Sequence, residues 1–202
     1  MPTFELEEYY KTQGFSCVCG VDEAGRGPLS GPVVAAACIL PSDFEIGELN
    51  DSKKLSPKKR ELLYDRIIKE AISYSIASAS PAEIDEINIL NATMLAMRRA
   101  IDGLSVHADF ALIDGNVSRG IFLPCETVIK GDARSASIAA ASILAKVTRD
   151  RLCLQDDVDY PQYQFAKHKG YGTKEHIEAL KAYGPTPIHR RSFLKFLSDE
   201  HS

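Results

Sequence analysis

The run Cys19-Gly20-Val21-Asp22-Glu23-Ala24-Gly25-Arg26-Gly27-Pro28-Leu29-Ser30-Gly31-Pro32-Val33-Val34-Ala35-Ala36-Ala37 constrains the fold more than any other stretch. Gly25, Gly27, Pro28, Gly31 and Pro32 crowd into residues 25–32. At that density glycine and proline exclude a regular element, so these residues form a tight connection. The segments on either side, residues 15–21 and 33–40, then read as an antiparallel strand pair, the second buried on both faces. Asp22 and Glu23 stand at the mouth of the turn. Neighbouring side chains of a strand point to opposite faces, so the two acids share one solvated surface only if the strand ends there. Alone, the pair reads equally well as a metal or catalytic site and as an acidic surface turn.

The pattern recurs. The apolar run Phe110-Ala111-Leu112-Ile113 leads into Asp114-Gly115-Asn116, and Thr127-Val128-Ile129-Lys130 leads into Gly131-Asp132. Three short strands thus each deliver an acid at the C-terminal end. In an open sheet such ends converge on one edge, where ligands of α/β folds bind. Carboxylates gathered there without basic partners repel and raise one another's pKa. A divalent cation removes that cost, and all-oxygen ligation suits Mg²⁺ or Mn²⁺ rather than zinc.

The remaining segments supply the layers around such a sheet. Residues 1–13 form a charged, amphipathic lead-in with a short helix. Ser56 and Pro57 are the N-cap and first position of a helix whose apolar residues Leu62, Leu63, Ile67 and Ile68 share one face. Residues 73–80 alternate as a strand, and Pro81 opens another helical stretch. Residues 88–104 form a strong helix, with Met94 and Met97 as core filler; Asp102-Gly103 ends it. Residues 134–150 are helical and so rich in small side chains that the helix packs centrally on the sheet. Short helices follow at 174–182 and beyond residues 188–193.

Composition bounds the class. A chain of 202 residues holds one domain with a sizeable core, its residues from about 160 to 202 forming a helical extension. The net charge is −4, made of −7 over residues 1–129 and +3 over residues 130–202. Bulk charge therefore does not argue for nucleic acid, and only a local basic face does. Lys53, Lys54, Lys58, Lys59 and Arg60 either track a phosphate backbone or are a solvated helix start. No apolar run reaches bilayer length and the acidic N-terminus lacks a secretory core, so a cytoplasmic location is expected. Cys17, Cys19, Cys38, Cys125 and Cys153 are odd in number and irregular in spacing, which argues against a disulfide framework or structural zinc.

Several motifs stand in one order over residues 18 to 194. They are Val21-Asp22-Glu23-Ala24-Gly25-Arg26-Gly27-Pro28-Leu29, Asn50-Asp51-Ser52-Lys53-Lys54-Leu55-Ser56, Leu112-Ile113-Asp114-Gly115-Asn116 and Lys130-Gly131-Asp132. Residues 137–150, His168-Lys169-Gly170-Tyr171 and His189-Arg190-Arg191-Ser192-Phe193 complete the set. In this combination the chain resembles ribonuclease HII, the bacterial type 2 ribonuclease H. The resemblance implies an α/β fold, a ribonuclease H-like mixed sheet flanked by helices with a helical C-terminal part. It implies cleavage of the RNA strand of RNA–DNA hybrids and nicking of DNA duplexes 5′ of embedded ribonucleotides, a role in ribonucleotide removal. The family's metal-binding carboxylates fall on Asp22, Glu23, Asp114 and Asp132. Its junction-sensing Gly-Arg-Gly falls on Gly25, Arg26 and Gly27, and its tyrosine near the ribo–deoxyribo step on Tyr171. Lys53, Lys54, Lys146 and Arg191 are the expected phosphate contacts.

The chemistry stands beside the resemblance. Two Mg²⁺ or Mn²⁺ ions about 3.5–4 Å apart activate water, neutralise phosphorane charge and assist the leaving alkoxide. In-line attack leaves 5′-phosphate and 3′-hydroxyl ends, whereas attack by the ribose 2′-OH gives a cyclic phosphate. Two other classes fit less well. A non-enzymatic nucleic-acid-binding protein leaves the strand-end acids without a purpose. A nucleotide-binding enzyme needs a fingerprint that Gly25-x-Gly27-x-x-x-Gly31 misses, and no Gly-Lys-Ser/Thr occurs. A monomer is expected; a sliding-clamp partner is left open, because Ser192-Phe193-Leu194-Lys195-Phe196-Leu197 is too short to decide it.

Overall fold

The computed structural model describes residues 1–47, 49 and 55–197. Lys53 and Lys54 lie outside the described residues. Five strands form one mixed sheet: β1 (Val18–Ala24), β2 (Val33–Ile39), β3 (Ser73–Ala79), β4 (Phe110–Asp114) and β5 (Cys125–Val128), in the order β3-β2-β1-β4-β5. β1–β2 and β2–β3 pair antiparallel, whereas β1–β4 and β4–β5 pair parallel. The Gly/Pro turn after β1 thus makes the expected hairpin-like reversal, and β2 is buried throughout.

Alternation along β2 builds two cores. Val34, Ala36 and Cys38 face α2 (Pro57–Glu70) and α4 (Ala136–Asp159). Val33, Ala35 and Ala37 face α3 (Pro81–Asp102). A strand this rich in alanine lets the helices on both faces lie close to the backbone.

Local chemistry sets the helix ends. Ser56 accepts from the Lys59 N–H at 3.3 Å and Pro57 occupies the first helical position of α2, as expected. Leu63, Tyr64 and Ile67 are buried on α2, but Leu62 is 63% exposed, so the expected apolar face is narrower and turned away from it. Ser80 and Glu83 close a capping box at the start of α3. The two helical stretches expected there form one element broken at Asn88, whose φ is 67°. Asparagine tolerates that left-handed geometry, and its side chain restarts the helix by accepting from the Asn91 N–H at 3.1 Å.

α4 is the element that places the sheet end. It runs through residue 159, further than residues 134–150 suggest. Residues 136–145 are all buried. Its first turn sits directly on Gly20, where an added Cβ would stand 2.1 Å from the Ser137 carbonyl carbon. Ser135 caps it, accepting from the Ile138 N–H at 3.1 Å and donating to Glu7 Oε1 at 2.6 Å. Glu7, buried on α1 (Glu5–Thr12), also accepts from the Ser137 N–H at 2.9 Å. A carboxylate at a helix N-terminus complements the helix dipole, so the lead-in segment is a fixture of the fold.

Beyond α4 the chain forms α5 (Phe165–His168) and α6 (Lys174–Tyr183), with short 3-10 turns at Arg191–Phe193 and Lys195–Leu197. Tyr163, Phe165, Ala179, Leu180 and Leu194 give this part its own small core. Among the described residues, no helix is long and apolar enough to cross a membrane.

Gly20→Ala is predicted to destabilise the protein by about 3 kcal/mol or more, because its methyl group meets helix backbone and not a movable side chain. Chemical denaturation monitored by circular dichroism checks this.

Candidate active site

β1 keeps its antiparallel partner to Ala24↔Val34, but its parallel pairing with β4 stops at Val21↔Ile113. The strand therefore overhangs its neighbour, and Asp22 and Glu23 lie on the overhang. This corrects the expectation that the strand ends before them: β1 continues, and only the pairing on one side ends. Asp22, 6% exposed, shares the sheet face of Gly20 beneath α4, where the Ser142 hydroxyl donates to it. Glu23 turns to the other face, toward α3, and both reach the gap that β4 leaves.

Asp114 closes β4 and fills that gap. Its Oδ1 accepts from the Gly131 N–H at 2.6 Å. Gly131 opens the 3-10 turn Gly131–Ala133, which carries Asp132 beyond β5, so the third acid sits on a turn and not on a strand end. Asp22, Glu23, Asp114 and Asp132 all line one cleft of about 340 Å³. Ser142, Lys146 and Arg149 of α4 line it from one side, and Gly25, Arg26, Gly27 and Tyr171 from the other.

Burial, then the Glu23 and Asp114 charges, hold the Asp22 carboxyl well above the ordinary carboxylate range, against the lowering effect of Ser142 and the Glu23 N–H. Burial raises Glu23 as well, opposed by Arg26 and reinforced by Asp114. The acids are not free of basic partners as expected: Arg26 Nη1 lies 3.4 Å from Glu23 Oε1. Lys146 is held at the cleft by Asp150 at 2.7 Å, with Arg60 3.8 Å from the same carboxylate. Among the described residues, no three His, Cys, Asp or Glu side chains converge tightly enough to enclose a metal ion. The donor set nevertheless fits a hard divalent cation. Four carboxylates face one cleft, and the repulsion and desolvation that raise Asp22 and Glu23 are the costs such a cation removes.

The opposite wall is two loops pressed together. Leu29 N–H donates to the Gly170 carbonyl at 2.8 Å. Tyr171, 47% exposed, lays its ring beside Gly27, where an added Cβ would stand 3.4 Å from Tyr171 Cε1. Gly25 has φ +93° and rests on Arg149, whose Nε would lie 2.0 Å from a Cβ there.

The profile of ribonuclease HII matches residues 19–196. The chain belongs to the ribonuclease HII family. A ribonuclease HII from Caldicellulosiruptor saccharolyticus is 56% identical over 192 residues, covering 95% of this chain and 94% of that one. The ribonuclease H2 of Pyrococcus horikoshii superposes with a TM-score of 0.69 at 29% identity, covering 88% of this chain and 93% of that one. A Bst ribonuclease HIII solved in complex with Mn²⁺ shares the fold at 17% identity, with a TM-score of 0.64 over 83% of this chain and 63% of that one. The mixed sheet flanked by helices is thus a ribonuclease H architecture.

Of the residues expected from sequence, the fold brings Asp22, Glu23, Gly25, Arg26, Gly27, Asp114, Asp132, Lys146 and Tyr171 to one cleft. Arg191 is not in its lining; the Arg191 N–H is held by Asp85 Oδ2 at 2.8 Å at the start of a 3-10 turn. Sequence reasoning missed the residues behind the walls. Ser142 orients Asp22, and Arg149 and Arg190, both essentially inaccessible, brace the glycine loop. The one available signal was for Arg149, which continues the helix rich in small apolar residues.

The two glycines predict different outcomes. Gly25→Ala meets both a left-handed φ and Arg149, and should lose about 2 kcal/mol of stability. Gly27→Ala makes an ordinary contact, so its stability should stay within about 0.5 kcal/mol of wild type while cleavage falls through crowding at the cleft. Thermal melts paired with rate measurements on both variants separate these effects.

Proposed function

We propose that this cleft hydrolyses the RNA strand of RNA–DNA hybrids and nicks DNA duplexes 5′ of embedded ribonucleotides, in the service of ribonucleotide removal. The observation that carries the reading is the convergence of Asp22, Glu23, Asp114 and Asp132 on one cleft whose facing wall is Gly25, Arg26, Gly27 and Tyr171. Asp22, Glu23, Asp114 and Asp132 hold the metal, for which Mg²⁺ and Mn²⁺ are the candidates, and bound divalent ions supply water activation and charge neutralisation at the phosphate. Ser142 and the Glu23 N–H, the latter 2.7 Å from Asp22 Oδ1, keep Asp22 aimed into the cleft. The Gly131 N–H does the same for Asp114.

Lys146 places a cation beside the acids and meets substrate phosphate; phosphate contacts set position without reading sequence. Lys53, Lys54 and Arg191 extend that role along the duplex. Discrimination of RNA from DNA falls to the glycine wall. A single 2′-OH both donates and accepts hydrogen bonds, and a backbone without Cβ atoms comes close enough to engage it. Tyr171 packs against the next sugar and favours a deoxynucleotide there. The products are 5′-phosphate and 3′-hydroxyl ends. In this reading the enzyme acts as a monomer in the cytoplasm, and residues 160–202 belong to the catalytic unit because they carry Tyr171.

Asp22→Asn and Asp114→Asn should each keep the fold and lower cleavage of a hybrid duplex at least about a hundred-fold, since even groups that only orient metal ligands are worth 10–100-fold. Wild-type rates for both at saturating Mg²⁺ and Mn²⁺ sink the assignment. Tyr171→Ala should lower cleavage at a single embedded ribonucleotide roughly ten-fold more than cleavage of a continuous hybrid. A 2′,3′-cyclic phosphate in the products contradicts the metal-assisted route.

A further inference from the structure

Two adjacent residues outside the cleft, His189 and Arg190, reach its two loops by separate routes. Residues 29–31 pair with residues 188–190: Arg190 N–H donates to the Leu29 carbonyl and Gly31 N–H to the Ile188 carbonyl, both at 2.9 Å. The Arg190 guanidinium is fully buried and donates to four carbonyls of one loop. Nε bonds the Gly31 oxygen at 2.9 Å, Nη1 the Arg26 and Pro28 oxygens at 2.9 and 2.8 Å, and Nη2 the Gly25 oxygen at 2.6 Å. Four of the five N–H donors of that side chain are thus spent on the shape of the glycine wall.

His189 leads the other way. Its Nδ1 accepts from the Thr186 N–H at 2.9 Å and lies 2.8 Å from Thr186 Oγ1, so its proton is on Nε2. That Nε2 stands 3.0 Å from His176 Nε2, which must accept. His176 therefore carries its proton on Nδ1 and donates it to the Tyr171 carbonyl at 2.9 Å. The surrounding backbone donors leave one consistent set of tautomers. Both rings are buried; burial, then the His176 ring, pulls His189 down to about 4, and burial, then the His168 ring, lowers His176.

We infer that His176, held by His189, is a positioning residue for Tyr171, and that it sets the selectivity of the enzyme for a single embedded ribonucleotide over a continuous hybrid. The inference rests on the reading of Tyr171 given above. Arg190 fixes the glycine wall and His176 fixes the tyrosine wall from the same short segment, so their spacing is built in before substrate arrives. Mispositioning a recognition group by about 1 Å costs as much as 100-fold in rate, and the group mispositioned here is the one that faces the sugar beyond the junction.

The test compares His176→Leu, His176→Asn and Tyr171→Ala on two substrates, a duplex with one ribonucleotide and a continuous RNA–DNA hybrid, below the melting temperature of every variant. His176→Leu should lower the ratio of single-ribonucleotide to hybrid cleavage roughly ten-fold. His176→Asn, whose amide N–H takes the place of Nδ1–H, should restore most of it. Equal ratios for wild type and both His176 variants, with Tyr171→Ala still reduced, overturn the inference and leave the reading of Tyr171 standing. An unmoved ratio in Tyr171→Ala overturns both. Should the His176 variants fail to fold, nitrogen-15 NMR of the wild-type protein decides. His176 protonated on Nδ1 and His189 on Nε2 support the relay; His176 protonated on Nε2 overturns it.

Discussion

Like charges brought together at low solvent exposure are what the rest of the site is arranged around. Asp22 and Glu23 are consecutive in one strand and so point to opposite faces, and in an ordinary sheet they never meet. They meet here because β4 stops pairing one residue short of Asp22, leaving an open corner that Asp114 enters from the neighbouring strand. The protein stabilises that corner only in part, through Ser142, the Glu23 and Gly131 backbone N–H groups, and Arg26. The carboxyls of Asp22 and Glu23 stay raised, a residual cost that a bound hard cation would relieve.

Geometry this tight depends on small residues elsewhere. Gly20 lets the first turn of α4 sit on β1, which brings Ser142 and Lys146 to the acids one and two turns further along the same helix. Gly131 lets the Asp132 turn pass Asp114 and Ile138 without collision. Glu7 and Ser135 lock the start of α4. Gly20 and Gly131 thus serve the placement of the carboxylates, and Gly25 that of the wall opposite them.

Much of this was legible in the chain. The density of Gly and Pro in residues 25–32 marked the reversal, alternation and caps marked β3, α2 and α3, and the recurrence of an acid after an apolar run marked Asp22, Asp114 and Asp132. What was not legible depends on long-range pairing. Nothing near Glu23 reveals that its strand outlasts its neighbour, or that Arg26 turns back to pair with it. The Leu62 side chain follows helical spacing yet faces solvent, because α2 meets α4 along Leu63, Tyr64 and Ile67. Arg149 and Arg190 read as members of basic segments, whereas burial makes them braces whose partners are backbone carbonyls far away in sequence.

The clustered carboxylates are held together at a cost that a divalent cation would remove. Thermal unfolding of wild type and Asp22→Asn, in chelator and with Mn²⁺ or Mg²⁺, tests it directly. The amide oxygen still accepts from Ser142 and the Glu23 N–H, so the substitution removes charge and little else. Asp22→Asn is expected to melt above wild type in chelator and to gain less than wild type from the cation. A variant that melts below wild type in chelator, and gains as much from the metal, contradicts it.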